Sequence, residues 1–261
     1  MALLMAHCKF IAGSCQTCEG ELPFDFTMAF QPIIDLNSGE IYAYEALVRG
    51  LDDESAGSVL SRLDADMLYR FDQACRIKAL KLAHRLGMTA RLSINFLPNA
   101  IYAPRACIRA TLQMAAELGW PLERLIFEIT ETEPVEDRHH LRRIVEAYKD
   151  LGFHVALDDF GAGYANLELL TELSPDCLKL DRELIIGIDH SPRRQAIVET
   201  VIDLARRLGF MLIAEGVETL EEARWLYRHG IAHQQGYLYA RPCREALPEY
   251  NIAVADAIVA G

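Results

Sequence analysis

Carboxylates, amides and one amine recur at one kind of place along this chain, the C-terminal end of a short apolar run. Glu45, Asn95, Glu128, Asp158 with Asp159, Lys179 with Asp181, Glu215 and Gln235 each close such a run. Taken singly, each is an ordinary loop or cap residue; the repetition asks for a common cause. If the runs are parallel strands of a barrel, their ends converge on one mouth, the face on which such folds carry their active sites. Acidic groups gathered there repel one another unless cations neutralise them, so the constellation implies metal. Oxygen donors without a paired His or Cys suit Mg²⁺ or Mn²⁺ better than zinc. Two such ions about 3.5–4 Å apart are a general arrangement for in-line phosphodiester cleavage. Lys179, the amine among the acids, either orients or deprotonates an attacking water or pairs with a carboxylate and the developing phosphorane charge.

The elements that must position these groups follow a repeated unit: an amphipathic helix, a Leu-Gly stop, then a short strand ending in polar residues. The stops are Leu86-Gly87, Leu118-Gly119, Leu151-Gly152 and Leu208-Gly209, with His229-Gly230 as a fifth copy. Glycine there fits a left-handed helix C-terminus, and the strand that follows must run parallel to its neighbours. The pattern predicts strands over Thr89–Asn95, Arg124–Ile129, His154–Asp158, Cys177–Asp181, Met211–Glu215 and Ala232–Tyr237. Two more, Met28–Asp35 and Ile41–Val48, are joined by the tight turn Leu36-Asn37-Ser38-Gly39. Ser191-Pro192 predicts a helix start, with Ile197, Val201, Leu204 and Leu208 lining one face, and Pro134 is expected to open the helix that ends at Leu151. Strands alternating with helices mean a doubly wound sheet or a closed barrel. Eight strands favour the barrel, and Tyr44–Gly50 lacks the glycine-rich phosphate loop expected after the first strand of a doubly wound sheet.

The 261 residues are 51% hydrophobic and 25% charged, enough for one large core. A net charge of −12 argues against a groove for long nucleic acid. No run approaches the roughly 18 apolar residues of a membrane span, and Met1–Ala6 lacks the basic start of a signal peptide, so a soluble, cytoplasmic protein is expected. Of seven cysteines, Cys75, Cys107, Cys177 and Cys243 are expected to be reduced structural thiols. His7, Cys8, Cys15 and Cys18 supply four soft donors within twelve residues, a set able to close around structural Zn²⁺; free thiols of an N-terminal segment are the plain alternative. His139, His140, His154 and His233 lack paired ligand spacing and are expected to be structural.

Tyr44-Glu45-Ala46-Leu47-Val48-Arg49-Gly50 resembles the signature of the EAL-domain family of cyclic di-GMP phosphodiesterases. The resemblance continues in Ser93-Ile94-Asn95, Phe127–Glu131, Asp158–Tyr164, Leu178–Asp181, Ala214–Glu218 and Gln235–Leu238, and runs in family order from about Phe26 to Pro242. It implies a modified TIM-type (β/α)8 barrel with one antiparallel strand near the start, in agreement with the tight Leu36–Gly39 connection. It implies residues 26–261 as the phosphodiesterase domain after a cysteine-containing segment 1–25, hydrolysis of cyclic di-GMP to linear pGpG with two Mg²⁺ or Mn²⁺ ions, and a homodimer. Glu45, Asn95, Glu128, Asp158, Asp159 and Glu215 take the metal positions, with Lys179 at the attacking water. Gln31, Arg49, Asp181 and Gln235 take substrate positions. Gly161, Gly163 and Tyr164, steadied by Glu131, form a loop that couples the dimer to the metals; it carries Ala162, Ala165 and Asn166 where many members have threonine and serines. Members that have lost metal ligands bind the dinucleotide or a partner without cleaving it, the alternative function.

Overall fold

The computed structural model describes residues 10–11, 14–15, 22–64, 67–98, 101, 103–129, 137–161, 167 and 169–261. His7, Cys8, Cys18, Glu131, Gly163, Tyr164 and Pro134 lie outside the described residues. Cys15 belongs to a two-residue strand, Ser14–Cys15, paired antiparallel with Phe10–Ile11.

The chain enters the barrel as a hairpin, β1 (Thr27–Asp35) and β2 (Glu40–Arg49). Asp35 organises the turn: its carboxylate accepts from the Asn37 N–H at 3.0 Å and the Ser38 hydroxyl at 2.9 Å, and its carbonyl accepts from the Gly39 N–H at 2.8 Å. Gly39 sits at φ 68°, which a side chain would strain. The following strands, β3 (Arg91–Phe96), β4 (Leu125–Ile129), β5 (His154–Phe160), β6 (Cys177–Leu180), β7 (Met211–Ala214) and β8 (His233–Gln234), each lie parallel to the one before. β8 returns to pair antiparallel with β1 at Ile34 and Asp35, which closes eight strands with β1 as the one reversed member. A two-residue strand, β9 (Cys243–Arg244), pairs with Ala29 and Phe30 at the other end of β1, where β8 is too short to reach.

The helices α1 (Ala56–Leu60), α2 (Leu68–Arg85), α3 (Pro104–Cys107), α4 (Arg109–Leu118), α5 (Arg138–Asp150), α6 (Leu169–Glu172), α7 (Arg182–Ile185), α8 (Pro192–Leu208), α9 (Leu220–Arg228) and α10 (Ile252–Val259) connect or follow the strands. The five predicted glycine stops have φ between 62° and 95°, as the left-handed helix ending requires. The start of α5 is set by Asp137, whose carboxylate accepts from the His140 N–H at 3.1 Å. The inner face of α8 is Val198, Val201, Ile202 and Ala205, rotated from the predicted stripe; Ile197 and Leu208 are 49% and 54% exposed. The helix is apolar on two stripes, and periodicity alone does not say which of them meets the sheet. Cys75, Cys107 and Cys177 are buried free thiols, but Cys243 on β9 is exposed.

Two apolar layers result from the strand pleat. A large core fills the space between strands and helices. A small one, Ile33, Ala43, Ile126, Ala156, Cys177 and Ile213, floors the barrel interior. Two residues on toward the mouth, on the same inward-facing side, stand Gln31, Glu45, Glu128, Asp158, Lys179 and Glu215. The alternation that buries the floor therefore also stacks the polar residues in one layer above it.

Candidate active site

Lys179 is the hub of that polar layer. Its ammonium lies 2.6 Å from Glu215 Oε1, 2.9 Å from Glu128 Oε2, 3.0 Å from Asp158 Oδ1 and 3.5 Å from Glu45 Oε2, with the residue fully buried. Glu45 also accepts from Gln235 Nε2 at 2.8 Å on the oxygen that faces Lys179 and from Asn95 Nδ2 at 3.0 Å on the other. Gln235 also donates to Gln31 Oε1 at 3.3 Å, and Gln31 donates to the Ala240 carbonyl at 3.1 Å, so the amides brace one another across the closing strands. The Ser93 hydroxyl donates to Glu128 Oε1 at 2.6 Å, so both oxygens of that carboxylate are engaged.

A break in strand pairing brings the two adjacent aspartates together. Between Leu157 and Phe160, β5 carries one residue more than β6 opposite, a bulge, and Asp159 takes φ 54°. In a regular strand consecutive side chains point to opposite faces; here Asp158 and Asp159 both line one cavity of about 380 Å³. Gln31, Glu45, Asp181, Glu215 and Gln235 line the same cavity, together with Leu47, Arg182, Glu218 and Tyr237. Arg49 stands at the end of β2 with its guanidinium on the Val48 carbonyl at 2.7 Å and is not among the lining residues. Asp181 also caps α7 by accepting from the Glu183 N–H at 2.7 Å. Gly161 follows the aspartates at φ 109°, where a Cβ would lie 2.5 Å from Leu184.

The electrostatics are those of an anionic site short of positive charge. Burial pushes Asp158 up and Glu128 and Glu215 well up, with Lys179 opposing. Asp159 is raised to about 6, by burial first and by the Asp158 charge second. Glu45 is also penalised by burial, but Lys179 and the two amides outweigh it and hold the carboxyl below its ordinary value. For Lys179 burial is outweighed by the surrounding carboxylates, which hold the ammonium protonated.

The donor set fits a divalent cation. Carboxylate oxygens of Glu45, Glu128 and Asp158 lie within 4.8 Å of one another, as do those of Asp158, Asp159 and Glu215, so two groups share Asp158. Asn95 Oδ1 and Gln235 Oε1 are buried without a hydrogen-bond donor. Buried oxygens in that state suit a hard cation.

Residues 23–242 match the family model described as EAL domain. The chain belongs to the EAL domain family. A standalone EAL protein from Vibrio cholerae O395, solved with c-di-GMP bound, superposes with a TM-score of 0.88 at 50% identity, over 90% of this chain and 99% of that one. A manganese and cyclic di-GMP complex of Klebsiella pneumoniae BlrP1 gives 0.81 at 35% identity, over 88% and 59% of the two chains. BluF of Escherichia coli, a blue light- and temperature-regulated antirepressor, is 34% identical over 84% of this chain and 55% of its own length. The cyclic di-GMP phosphodiesterase NbdA of Pseudomonas aeruginosa is 32% identical over 82% of this chain and 28% of its own. The chain thus spans about half or less of these curated relatives.

The structure brings together Glu45, Asn95, Glu128, Asp158, Asp159, Lys179, Glu215 and Gln235 as their places at strand ends predict, adds Gln31 from β1, and sets Asp181 on the cavity wall. Sequence reasoning passed over Ser93 as a site residue, although its place two before Asn95 on one strand puts it on the inward side. It also passed over Arg182, Glu218 and Tyr237, which follow the polar strand ends and carry no spacing signal of their own.

Proposed function

We propose that this chain hydrolyses one phosphodiester of cyclic di-GMP to give linear pGpG. The observation that carries the reading is the double carboxylate group sharing Asp158 around Lys179, in a chain whose relatives include named cyclic di-GMP phosphodiesterases. Glu45, Asn95, Glu128, Asp158, Asp159 and Glu215 are assigned to two Mg²⁺ or Mn²⁺ ions. Such ions lower the pKa of water and stabilise the leaving 3′ oxygen when bound. Lys179 positions the attacking water and offsets charge on the phosphorane. Gln31, Asp181 and Gln235 hold the dinucleotide at the cavity wall, and Arg49 takes a phosphate by exchanging the Val48 carbonyl for it. Gly161, with Gly163, Tyr164 and Glu131, is assigned to the loop that links the metals to a homodimer. The exposed apolar stripe of α8, with Leu167 beside it, is the surface we assign to that dimer. Residues 26–261 form the catalytic domain in this reading, after segment 1–25. Among the described residues no helix is long and apolar enough to cross a membrane, in keeping with the cytoplasmic site we assign.

A second reading has one observation in its favour: BluF, 34% identical, is named an antirepressor, so the family includes a member named for a regulatory role. In that reading the chain binds the dinucleotide and signals through a partner without cleaving it. Turnover of the unmodified chain, with Glu45→Ala beside it, separates the two. The hydrolase reading predicts pGpG from the unmodified chain and its loss in Glu45→Ala with the circular dichroism spectrum unchanged; full turnover in that variant contradicts the site, and binding without pGpG in the unmodified chain favours the second reading.

A further inference from the structure

Asp72 and Arg76 on α2 form an ion pair that takes no direct part in the site. They are 5% and 1% exposed, with Asp72 Oδ2 2.6 Å from Arg76 Nη1. Burial pushes the Asp72 carboxyl above its ordinary value even with Arg76 so close. A buried pair of this kind is weak evidence for stability, since apolar residues of similar volume often serve as well. What the pair holds is more informative. Asp72 Oδ1 accepts the Leu97 N–H at 3.1 Å, and Arg76 Nη2 donates to the Cys107 carbonyl at 3.4 Å.

Leu97 is two residues beyond Asn95, and this end of β3 is only half secured. β3 pairs with β4 as far as Phe96, but with β2 only as far as Ile94. Where that second ladder stops there is an apolar cavity of about 190 Å³, lined by Leu47, Val48, Cys75, Asn95, Leu97 and Asp72 among others. A strand end beside a void, without ladder bonds on that side, has room to shift. Asn95 Oδ1 is one of the buried oxygens without a donor, and its value as a ligand depends on where that strand end sits.

We infer that Asp72 is a positioning residue: its carboxylate, braced by Arg76, anchors the Leu97 N–H and so fixes Asn95 Oδ1 for a divalent cation. The inference rests on the reading of Asn95 as a metal ligand. Partners that orient a metal ligand are typically worth about 10–100-fold in metal affinity.

Two double variants differ only in the acceptor at position 72. D72N/R76M removes both charges and keeps an oxygen for Leu97; D72L/R76M removes both charges and the oxygen. Mn²⁺ binding is measured by titration calorimetry on the full chain without dinucleotide, alongside the melting temperature. We expect D72N/R76M to bind Mn²⁺ within about threefold of wild type and D72L/R76M about 10–100-fold more weakly, with the two melting within a few degrees of each other. Equal Mn²⁺ affinity in the two variants overturns the inference, as does a loss that follows melting temperature instead of the acceptor. If D72L/R76M does not fold, a tenfold loss in D72N/R76M still overturns it. N95A is the control on the underlying reading: undiminished Mn²⁺ binding there removes Asn95 as a ligand, a different failure from wild-type behaviour in D72L/R76M alone.

Discussion

Replacing Lys179 with methionine keeps most of the length of the side chain and removes the ammonium that lies within 3.5 Å of Glu45, Glu128, Asp158 and Glu215. Breaking a buried charge pair by removing one partner typically destabilises a protein by about 3–5 kcal/mol. At about 2–4 °C per kcal/mol for a chain of this size, melting in chelator at pH 8 should fall by roughly 6–20 °C. The loss has a direction in pH. Burial already raises Glu128, Asp158 and Glu215, and without Lys179 they rise further. An acid raised in the folded state stabilises the fold while protonated and loses that contribution as pH rises, so the deficit of Lys179→Met should be smaller at pH 5.5 than at pH 8. Saturating Mn²⁺ supplies the missing positive charge and should raise the melting temperature of the variant more than that of wild type. Differential scanning fluorimetry at both pH values, with EDTA or Mn²⁺, reads all three effects. A variant melting within 2 °C of wild type at pH 8 in chelator would refute the hub role assigned to Lys179.

Two further perturbations follow from the geometry. Asp159, raised to about 6, holds its proton in the folded chain over a window from about 4 to 6 in which the unfolded chain has lost it, so ionisation weakens the metal-free fold there. The melting temperature of Asp159→Asn minus that of wild type, in chelator, should therefore grow between pH 4 and 6.5 and then level off; a difference independent of pH contradicts the assignment. Gly236 has no room for a side chain, since a Cβ would lie 2.0 Å from the Val217 carbonyl oxygen. The Val217 atoms it would meet are all backbone and cannot swing aside, so Gly236→Ala should destabilise by at least the upper end of the usual overpacking range of about 1–3 kcal/mol. It should also weaken Mn²⁺ binding by moving Gln235 away from Glu45; a wild-type denaturation midpoint would refute the close packing.

The barrel was legible because its signals are local. Helix stops at Leu-Gly pairs, a four-residue turn too short for a parallel crossover, and polar groups at strand ends each act within a few residues, and together they allow few folds. Strand ends were less legible: Asp181 reads as the last residue of β6 but leaves the ladder to cap α7, and the predicted Ala232–Tyr237 strand shrinks to His233–Gln234. The bulge at Asp158 and Asp159 has no sequence mark, because it depends on the register against β6. The inner face of α8 was not legible for a related reason. Two apolar stripes are equivalent by period until the sheet selects Val198, Ile202 and Ala205 and leaves Ile197 and Leu208 outside. Ser93 and Asp72 share another limit: each acts through a partner far away in the chain, Glu128 and Leu97, which only the folded register brings near.

The most direct test of the central claim is turnover. The purified chain is incubated with cyclic di-GMP and Mg²⁺ or Mn²⁺, with and without EDTA, and the products are separated by chromatography. A metal-dependent phosphodiesterase gives pGpG that accumulates with time, requires the metal and stops on chelation. Tight binding of cyclic di-GMP with no pGpG under any metal condition would contradict it and favour the non-catalytic reading.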